Sequence, residues 1–592
     1  MEVLFFTPHV ALWVHTVPEA YLARALGGMG YSIRYLTCGR ALSYCVCMTA
    51  HQISPSEQKA DEMNTICKSC VAGAKTIEDT YRFPVAALAT YLSEADKHHC
   101  RGLAQNALKV RSLDTELHGV AVGRLSLYEF TLAHKKMSTN LSDGQWNEYA
   151  LFLENALVAL TAFARYLDTY SPDVVVSFSP QYSVNNVCMQ YAISQGVRVL
   201  FIESGTNLGH RLGTLRVWDW GEHGLVNPAL KYWEGSERHR VGTESVQLVC
   251  HHFEQLLKGK SFAVYSSEYT GVGSIRQRFG IEPAQKVILL TLSSYDEAYA
   301  AYLINAFPHN KAFSDVFENQ AEWIHGTISW VSSRPDCFLV IRVHPRDFPN
   351  KREAVPSEQS EYLKKVLVST PSNVHVNWPS EGISLYELLD EVDLVASGWS
   401  ITAMEALILG IPVVTYDARL PSYPSDIIFT GRSREEYFHN LESALQAGWS
   451  FQNVKNGFRW LAFNFVQSTV KLSDSFGGHE LASSTIIEKI KSRVRLHLPA
   501  VGMRMDLQGW RGAREGVLDV DKMIQHGYDS IPAVRKHENA TPISEREEHK
   551  AMINGLQSLY CLLYGKGQPN VGKSGLSRKI RNCLDGVSID AS

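Results

Sequence analysis

Short, almost wholly apolar runs recur along the chain, separated by longer segments in which apolar and polar positions mix at helical spacing. The apolar runs predict strands at Val3–Phe6, Ser32–Thr37, Asp173–Phe178 and Arg198–Glu203. A second series is predicted at Val287–Leu292, Phe338–Val343, Val374–Asn377, Leu394–Ala396 and Pro412–Tyr416. Runs without polar alternation belong to strands covered on both faces, which is the parallel-sheet pattern. Between them the spacing predicts helices at Glu19–Met29, Val184–Gln195, Glu244–Lys258, Phe313–Ser333, Ser360–Val368, Ser384–Glu391 and Ala403–Leu409. Gly27, Gly28 and Gly30 supply the stop to the first of these. Strand and helix in alternation imply an α/β fold with doubly wound, Rossmann-like parallel sheets.

The two series divide the chain into an expected first domain, 1–280, and a second, 281–490, followed by a helical extension, 491–592. Residues 38–75 read as a cysteine-rich insertion in the first domain and 76–170 as mainly helical. Trp218, Trp220 and Trp233 mark a packed connector before the second series. Two such domains in tandem leave a cleft between the carboxyl ends of their sheets, where ligands of this architecture bind. A length of 592 residues agrees with more than one core.

Apolar content of 45% and charged content of 20% are those of an ordinary globular protein, and a net charge of −4 gives no general surface for nucleic acid. No apolar run reaches the ~18 residues of a membrane span. The segment Met1–Pro8 reads as a first strand rather than a secretory leader, so the expected compartment is the cytoplasm. The 11 cysteines are then thiols or metal ligands rather than disulfides.

The densest chemistry lies in 393–414. A buried strand runs into a turn with Ser397, Gly398, Ser400 and Thr402, and a short helix follows. Hydroxyls and free backbone N–H groups at a helix start hold phosphate. Glu405 stands one turn later, placed to accept hydrogen bonds from a ribose. A second cluster, Arg342-Val343-His344-Pro345-Arg346, ends a strand, and Arg342 and His344, two apart, share a face. Two guanidiniums and an imidazole there suit a phosphate or diphosphate. The loop Ser293–Glu297 offers Ser294 to phosphate and Asp296 or Glu297 as a nucleophile, and Glu381 lies in a loop that follows a predicted strand. Each turn also has a plainer reading as a helix cap.

In the first domain, Glu203 ends a strand facing the cleft and is the candidate acid or base. His210 and Arg211 follow it. His9 and His15 follow the first strand, and all four are candidates for the acceptor side. Cys45, Cys47, Cys67 and Cys70 form two close pairs with the spacing of a structural zinc site, and Cys38 and His51 are spare ligands.

The segment 285–430 resembles the nucleotide-binding half of GT-B glycosyltransferases. Many retaining members carry a second Glu at the position occupied here by Ser397. In many GT-B enzymes the loop that corresponds to the one bearing Glu381 touches the nucleobase through backbone groups, which the resemblance implies here. The His344-Pro345 pair with the Ser/Thr turn resembles capsule and lipopolysaccharide enzymes that use CMP-activated ulosonic acids, among them Kdo transferases and sialyltransferases. The resemblance implies a nucleotide-sugar donor, with CMP-Kdo favoured and CMP held by His344 and the Ser/Thr turn. It also implies a polysaccharide or lipid-linked glycan acceptor and peripheral contact with the inner face of the cell membrane, to which Arg504, Arg511, Arg514, Arg578, Lys579 and Arg581 could contribute. The basic cluster makes a catalytic metal unnecessary. The rival readings are a non-hydrolysing UDP-sugar 2-epimerase of the same fold and a non-catalytic scaffold in a polysaccharide assembly complex.

Overall fold

The computed structural model describes residues 1–55, 59–211, 213–219, 228–259, 264–269, 273–306, 314–350, 354–419, 423–472, 494, 498–508, 515–536, 543–565 and 574–590. Trp220, Arg511, Arg514 and the expected helix start at Phe313 lie outside them.

The strands are β1 (Glu2–Thr7), β2 (Ser32–Thr37), β3 (Val85–Ala87), β4 (Val174–Phe178), β5 (Arg198–Ser204), β6 (Thr214–Asp219), β7 (Lys286–Thr291), β8 (Cys337–Arg342), β9 (Val374–Asn377), β10 (Leu394–Ser397), β11 (Val413–Thr415), β12 (Phe429–Thr430) and β13 (Val470–Lys471). They form two sheets. The first has the order β13-β6-β5-β4-β1-β2-β3 and the second β12-β11-β10-β7-β8-β9. The second is wholly parallel, and read outward from β7 it runs through β8 and β9 on one side and β10, β11 and β12 on the other. That is the doubly wound dinucleotide-binding order, with its switch point between β7 and β10. The first sheet repeats the scheme from β1, with its switch point between β1 and β4. β6 and β13 extend it by antiparallel pairing. Two doubly wound α/β sheets in one chain are the GT-B architecture.

Several elements depart from the pattern-based expectation. The first helix spans Trp13–Gly28, beginning well before Glu19 and carrying Pro18 inside it. The cysteine-rich stretch is the crossover from β2 to β3, built from the helices Val46–Ala50 and Ala60–Tyr81. A helix at Tyr295–Leu303 precedes Gln320–Ser332. The connector packs with the second sheet: one continuous core joins Val241, Val249, Phe253 and Ile281 to Val287, Leu289 and Val413. Packing therefore places the helix Thr243–Lys258 with the second unit, across the expected 280 boundary.

The helix Asp143–Thr169 is long and apolar enough by composition to cross a membrane. Its apolar positions are packed into the core of the first unit, among them Leu153, Leu157, Leu160 and Phe163.

The two units are tied together at the cleft. Leu303 and Ile304, at the end of the helix Tyr295–Leu303, sit in the first unit's core. Lys135 Nζ donates to the Arg346 carbonyl at 2.5 Å, and Lys136 Nζ pairs with Glu358 Oε1 at 2.6 Å. The C-terminal segment crosses between the units as well: β13 joins the first sheet, and Trp218 bridges Ser530.

Candidate functional site

Strand register sets the site. Asn377, Arg342, Thr291, Ser397 and Thr415 stand in one row across β9, β8, β7, β10 and β11 at the carboxyl edge of the second sheet. The loops that leave this row carry His344 and Ser400 to Glu405, and they flank the switch point.

Arg342 Nη1 donates to Asn377 Oδ1 at 2.7 Å and to the Ile383 carbonyl at 3.1 Å. Burial pushes its guanidinium down to about 10, so it stays cationic at neutral pH. His344 caps the turn Pro345–Asp347, and its Nδ1 accepts the Arg346 N–H at 3.2 Å. This assigns the ring proton to Nε2. Burial, then the charges of Arg346, Arg342 and Lys135, push the imidazole down to about 3. It is a neutral donor in a positive field.

Glu405 is buried, accepts from the Tyr386 hydroxyl at 2.9 Å, and is raised to about 7 by burial, with Arg342 opposing. Ser400 Oγ donates to Thr402 Oγ1 at 3.0 Å and accepts the Thr402 N–H at 3.4 Å. The helix they start, Thr402–Ile408, is seven residues long, so the side chains rather than a long macrodipole give this turn its anion-binding character. Ser397 is buried with its hydroxyl beside that of Tyr423, and a Cβ on Gly398 would lie 3.2 Å from the Tyr416 hydroxyl. The buried Ser293 hydroxyl has no partner among the described residues.

Five expectations are corrected here. Arg346 is not a guanidinium held open for a phosphate. It is buried, donates to Ser294 Oγ at 2.9 Å and pairs with Asp296 Oδ2. Asp296 is correspondingly sealed, accepting also from Ser294 at 2.7 Å, and cannot serve as an open nucleophile. Ser294 is thereby spent on the same pair rather than turned to phosphate. The exposed neighbour, Glu297, lies 3.4 Å from Arg346 Nε, and its charge, like those of Glu203 and Glu129, reaches Tyr128 of the first unit. Glu381 closes its own turn, accepting the Trp378 N–H at 2.7 Å and lying 3.1 Å from His375 Nε2. Glu203 is held in a cross-strand ion pair with Arg216, its register partner on β6.

On the first sheet, His15 stacks on Phe178 with ring centres 4.1 Å apart and is pushed down to about 3 by burial and the charges of His9 and Arg211. His210 turns away to His251, 3.3 Å between ring nitrogens, at a place where a Cβ on Gly209 would come within 2.4 Å of the His251 ring. His9 lies at the β1/β4 switch point, and its ring approaches Cys45 and Cys47 rather than an open acceptor surface.

The expected four-cysteine set is not what comes together. The ligand atoms of His9, Cys45 and Cys47 lie within 4.8 Å of one another, and Cys47 Sγ is 3.9 Å from Cys70 Sγ. Cys67 lies outside that group, and His51 Nδ1 is 2.7 Å from the Cys47 carbonyl. The Cys45 thiol is held well below the usual range, chiefly by the hydrogen bond from Cys47, whose own thiol is raised.

Lys135, Tyr386 and Tyr128 were not singled out by sequence. Lys135 adopts a left-handed backbone (φ 46) after the helix Leu127–His134, and the Lys135-Lys136 pair was the signal in the sequence that went unread.

No protein-family model and no curated protein matches the chain. Solved structures that resemble it include the spinosyn rhamnosyltransferase SpnG, at 12% identity over 79% of this chain and 97% of that one, with a TM-score of 0.24. KpsC of Thermosulfurimonas dismutans, a beta Kdo 2,4 transferase, aligns at 13% identity over 54% and 87% of the two chains, with a TM-score of 0.30. The UDP-GlcNAc 2-epimerase of Methanocaldococcus jannaschii aligns at 14% identity over 78% and 98%, with a TM-score of 0.26. So distant a likeness carries no argument about activity, and the architecture rests on the strand order above.

Proposed function

We propose that the protein is a glycosyltransferase that moves a sugar from a nucleotide donor, CMP-Kdo or a related ulosonic acid, to a surface-polysaccharide or lipid-linked glycan at the cytoplasmic face of the membrane. One observation carries this reading. His344, in the loop after β8, and Glu405, in the helix after β10, both lie in the field of Arg342 at the carboxyl edge of the second sheet. Burial is the main cause that keeps His344 neutral, and the cations that add to it make the same place attractive to an anion. Nε2–H of His344 would donate to a phosphate oxygen, and Arg342, with Lys135 from the opposite unit, would stabilise the charge that grows on the departing CMP. Glu405, its carboxyl already oriented by Tyr386, would accept from the ribose. No divalent cation enters this scheme.

On the acceptor wall, His15 and Arg211 would orient the incoming glycan. Glu297, an exposed carboxylate beside Arg346, is freer than the buried Asp296 or the Arg216-bound Glu203 to take a proton from its hydroxyl.

The test is a thermal-shift panel of CMP, CDP, UDP and GDP, followed by assay of CMP release from CMP-Kdo with glycan acceptors. CMP should raise the melting temperature most strongly. His344→Ala should abolish that shift and lower turnover by about 10²–10³-fold. Acceptor-free conversion of UDP-GlcNAc to its epimer would replace this reading with the epimerase. Nucleotide binding with no turnover of any donor would favour the scaffold, and a panel in which no nucleotide stabilises the protein would end the proposal.

A further inference from the structure

The first sheet's switch point has chemistry of its own. Thr7 and His9 leave the carboxyl end of β1, and the β2–β3 crossover folds back over that end, bringing Cys45 just before the helix Val46–Ala50, Cys47 within it and Cys70 on the helix Ala60–Tyr81. His9 is 5% exposed, and its ring nitrogens meet no nitrogen or oxygen partner; their polar neighbour is the Cys45 thiol. Burying an imidazole with so weak a partner is costly. The ligand atoms nearest to it on the page are the Cys45 and Cys47 sulfurs, the three lying within 4.8 Å of one another.

The Cys47–Cys70 separation of 3.9 Å is far from a bonded disulfide and close to the edge of a tetrahedron of thiolates around zinc. With Zn–S bonds of about 2.3 Å that edge is about 3.8 Å. Cys70 Sγ already accepts the Ala11 N–H at 3.2 Å, the kind of outer-shell hydrogen bond that orients a ligating sulfur. A cavity of about 210 Å³ lined by Pro8, Cys38 and Cys70 gives an entry path beside the cluster. Cys38 itself is turned to the backbone N–H groups of Leu42 and Ala41.

The geometry points to a structural zinc site with His9, Cys45, Cys47 and Cys70 as its four ligands, pinning the β2–β3 crossover to the end of β1. One imidazole and three thiolates suit a borderline-soft divalent cation in a closed tetrahedron. Binding forms three Zn–S bonds and one Zn–N bond. The thiol protons pass to solvent, and no electrons move. Closing the tetrahedron requires that Cys70 move towards the trio and that the trio, within 4.8 Å of one another, draw together to edges of about 3.8 Å. The site is separate from the nucleotide site on the second sheet, so it stands or falls independently of the proposed transfer reaction.

The test uses the full chain purified from zinc-supplemented cells. Elemental analysis should find one zinc per chain, and cobalt exchange should give the thiolate-to-cobalt charge-transfer band. His9→Ala, Cys45→Ser, Cys47→Ser and Cys70→Ser should each lose most of the metal, and Cys67→Ser should keep it. Loss of zinc from Cys67→Ser with retention in His9→Ala would overturn the assignment in favour of a four-cysteine site. A wild-type protein without metal, or one whose mass shows a Cys47–Cys70 disulfide, would overturn it outright. Should the variants fail to fold, the cobalt spectrum of the wild type decides, since its intensity counts thiolates and three are expected.

Discussion

At the scale of single residues, the site divides into what local sequence can reveal and what only packing decides. His344, Ser400, Thr402 and Glu405 were legible because each sits at a fixed offset from a strand end, and the backbone delivers it to the sheet's edge whatever else happens. The Asp296–Arg346 pair was not, because its partners are far apart in the chain and the same residues read equally well as a solvated loop. Glu19 is a sharper case. It is fully buried in the helix Trp13–Gly28, accepts from the Thr7 hydroxyl, leaves its second oxygen unpartnered, and is raised by burial from 4.5 to about 8. The folded protein therefore keeps this proton up to about pH 8, while the unfolded chain releases it near 4.5. Between those values the unfolded state binds fewer protons, so stability falls as pH rises, by about 1.4 kcal/mol per pH unit at most for this one group. His344, lowered to about 3, contributes in the opposite sense below about 6.5, so the total curve is mixed. Glu19→Gln isolates the effect. Its stability relative to wild type, from urea titrations at several pH values, should climb steadily from pH 5 to 8 and then level. Parallel curves would mean that Glu19 is ionised in the fold.

At the scale of elements, strands buried on both faces announced themselves, and β4, β5, β7, β8, β9, β10 and β11 all fall on apolar runs read from the sequence. The strands that escaped lack that signal. β3 is three residues, β12 and β13 are two each, and β6 alternates apolar and polar positions as an antiparallel strand should. The helix Phe451–Ala462 shows how packing fixes the candidate site. Gly457 lies where this helix crosses Thr402–Ile408, and a Cβ there would stand 2.7 Å from the Ile408 backbone nitrogen and 3.0 Å from the Leu407 carbonyl carbon. Backbone cannot yield as a side chain can. By helix propensity alone, Gly457→Ala should gain up to ~1 kcal/mol. The clash should instead cost about 2–4 kcal/mol and push the helix bearing Thr402 and Glu405 off its seat. Urea denaturation should show the loss, and any nucleotide-dependent thermal shift should shrink with it. A variant more stable than wild type would show that the helices do not approach this closely.

At the scale of the whole molecule, the C-terminal segment is not an appendage. It meets the first unit through β13, through Tyr81 Oη, which donates to the Leu507 carbonyl at 3.0 Å, and through Arg198, which donates to the Met523 and Tyr528 carbonyls at 2.9 and 2.6 Å. It then returns to the second unit, where Met552, Leu556, Leu559 and Ile580 complete a core shared with Val249 and Phe458. Its cations are partly engaged in the fold: Lys579 lies 3.2 Å from Asp393 and Arg504 3.7 Å from Asp79. The anchor of this return is Glu548. It receives Arg459 Nε at 2.9 Å, Arg459 Nη2 at 2.6 Å and the Val241 N–H at 3.1 Å, so one carboxylate joins the connector, the helix Phe451–Ala462 and the helix Glu545–Tyr564. Both side chains are 3% exposed. Arg459 Nη1 also reaches the exposed Glu237 at 3.1 Å, so removing Glu548 leaves the buried guanidinium with one solvent-exposed carboxylate, and Glu548→Ala should cost about 3 kcal/mol, the low end for a broken buried pair. Replacing both partners with apolar side chains, Glu548→Leu with Arg459→Met, removes the stranded charge and should recover most of that loss. The double variant separates two accounts of the tail. If the ion pair acts only as a local contact, each single change costs about 1 kcal/mol or less, as an exposed pair does, and the cycle shows no coupling. If it locks three elements across the connector, the singles are severe, the double is mild, and urea unfolding of Glu548→Ala loses its single cooperative transition as the tail separates first.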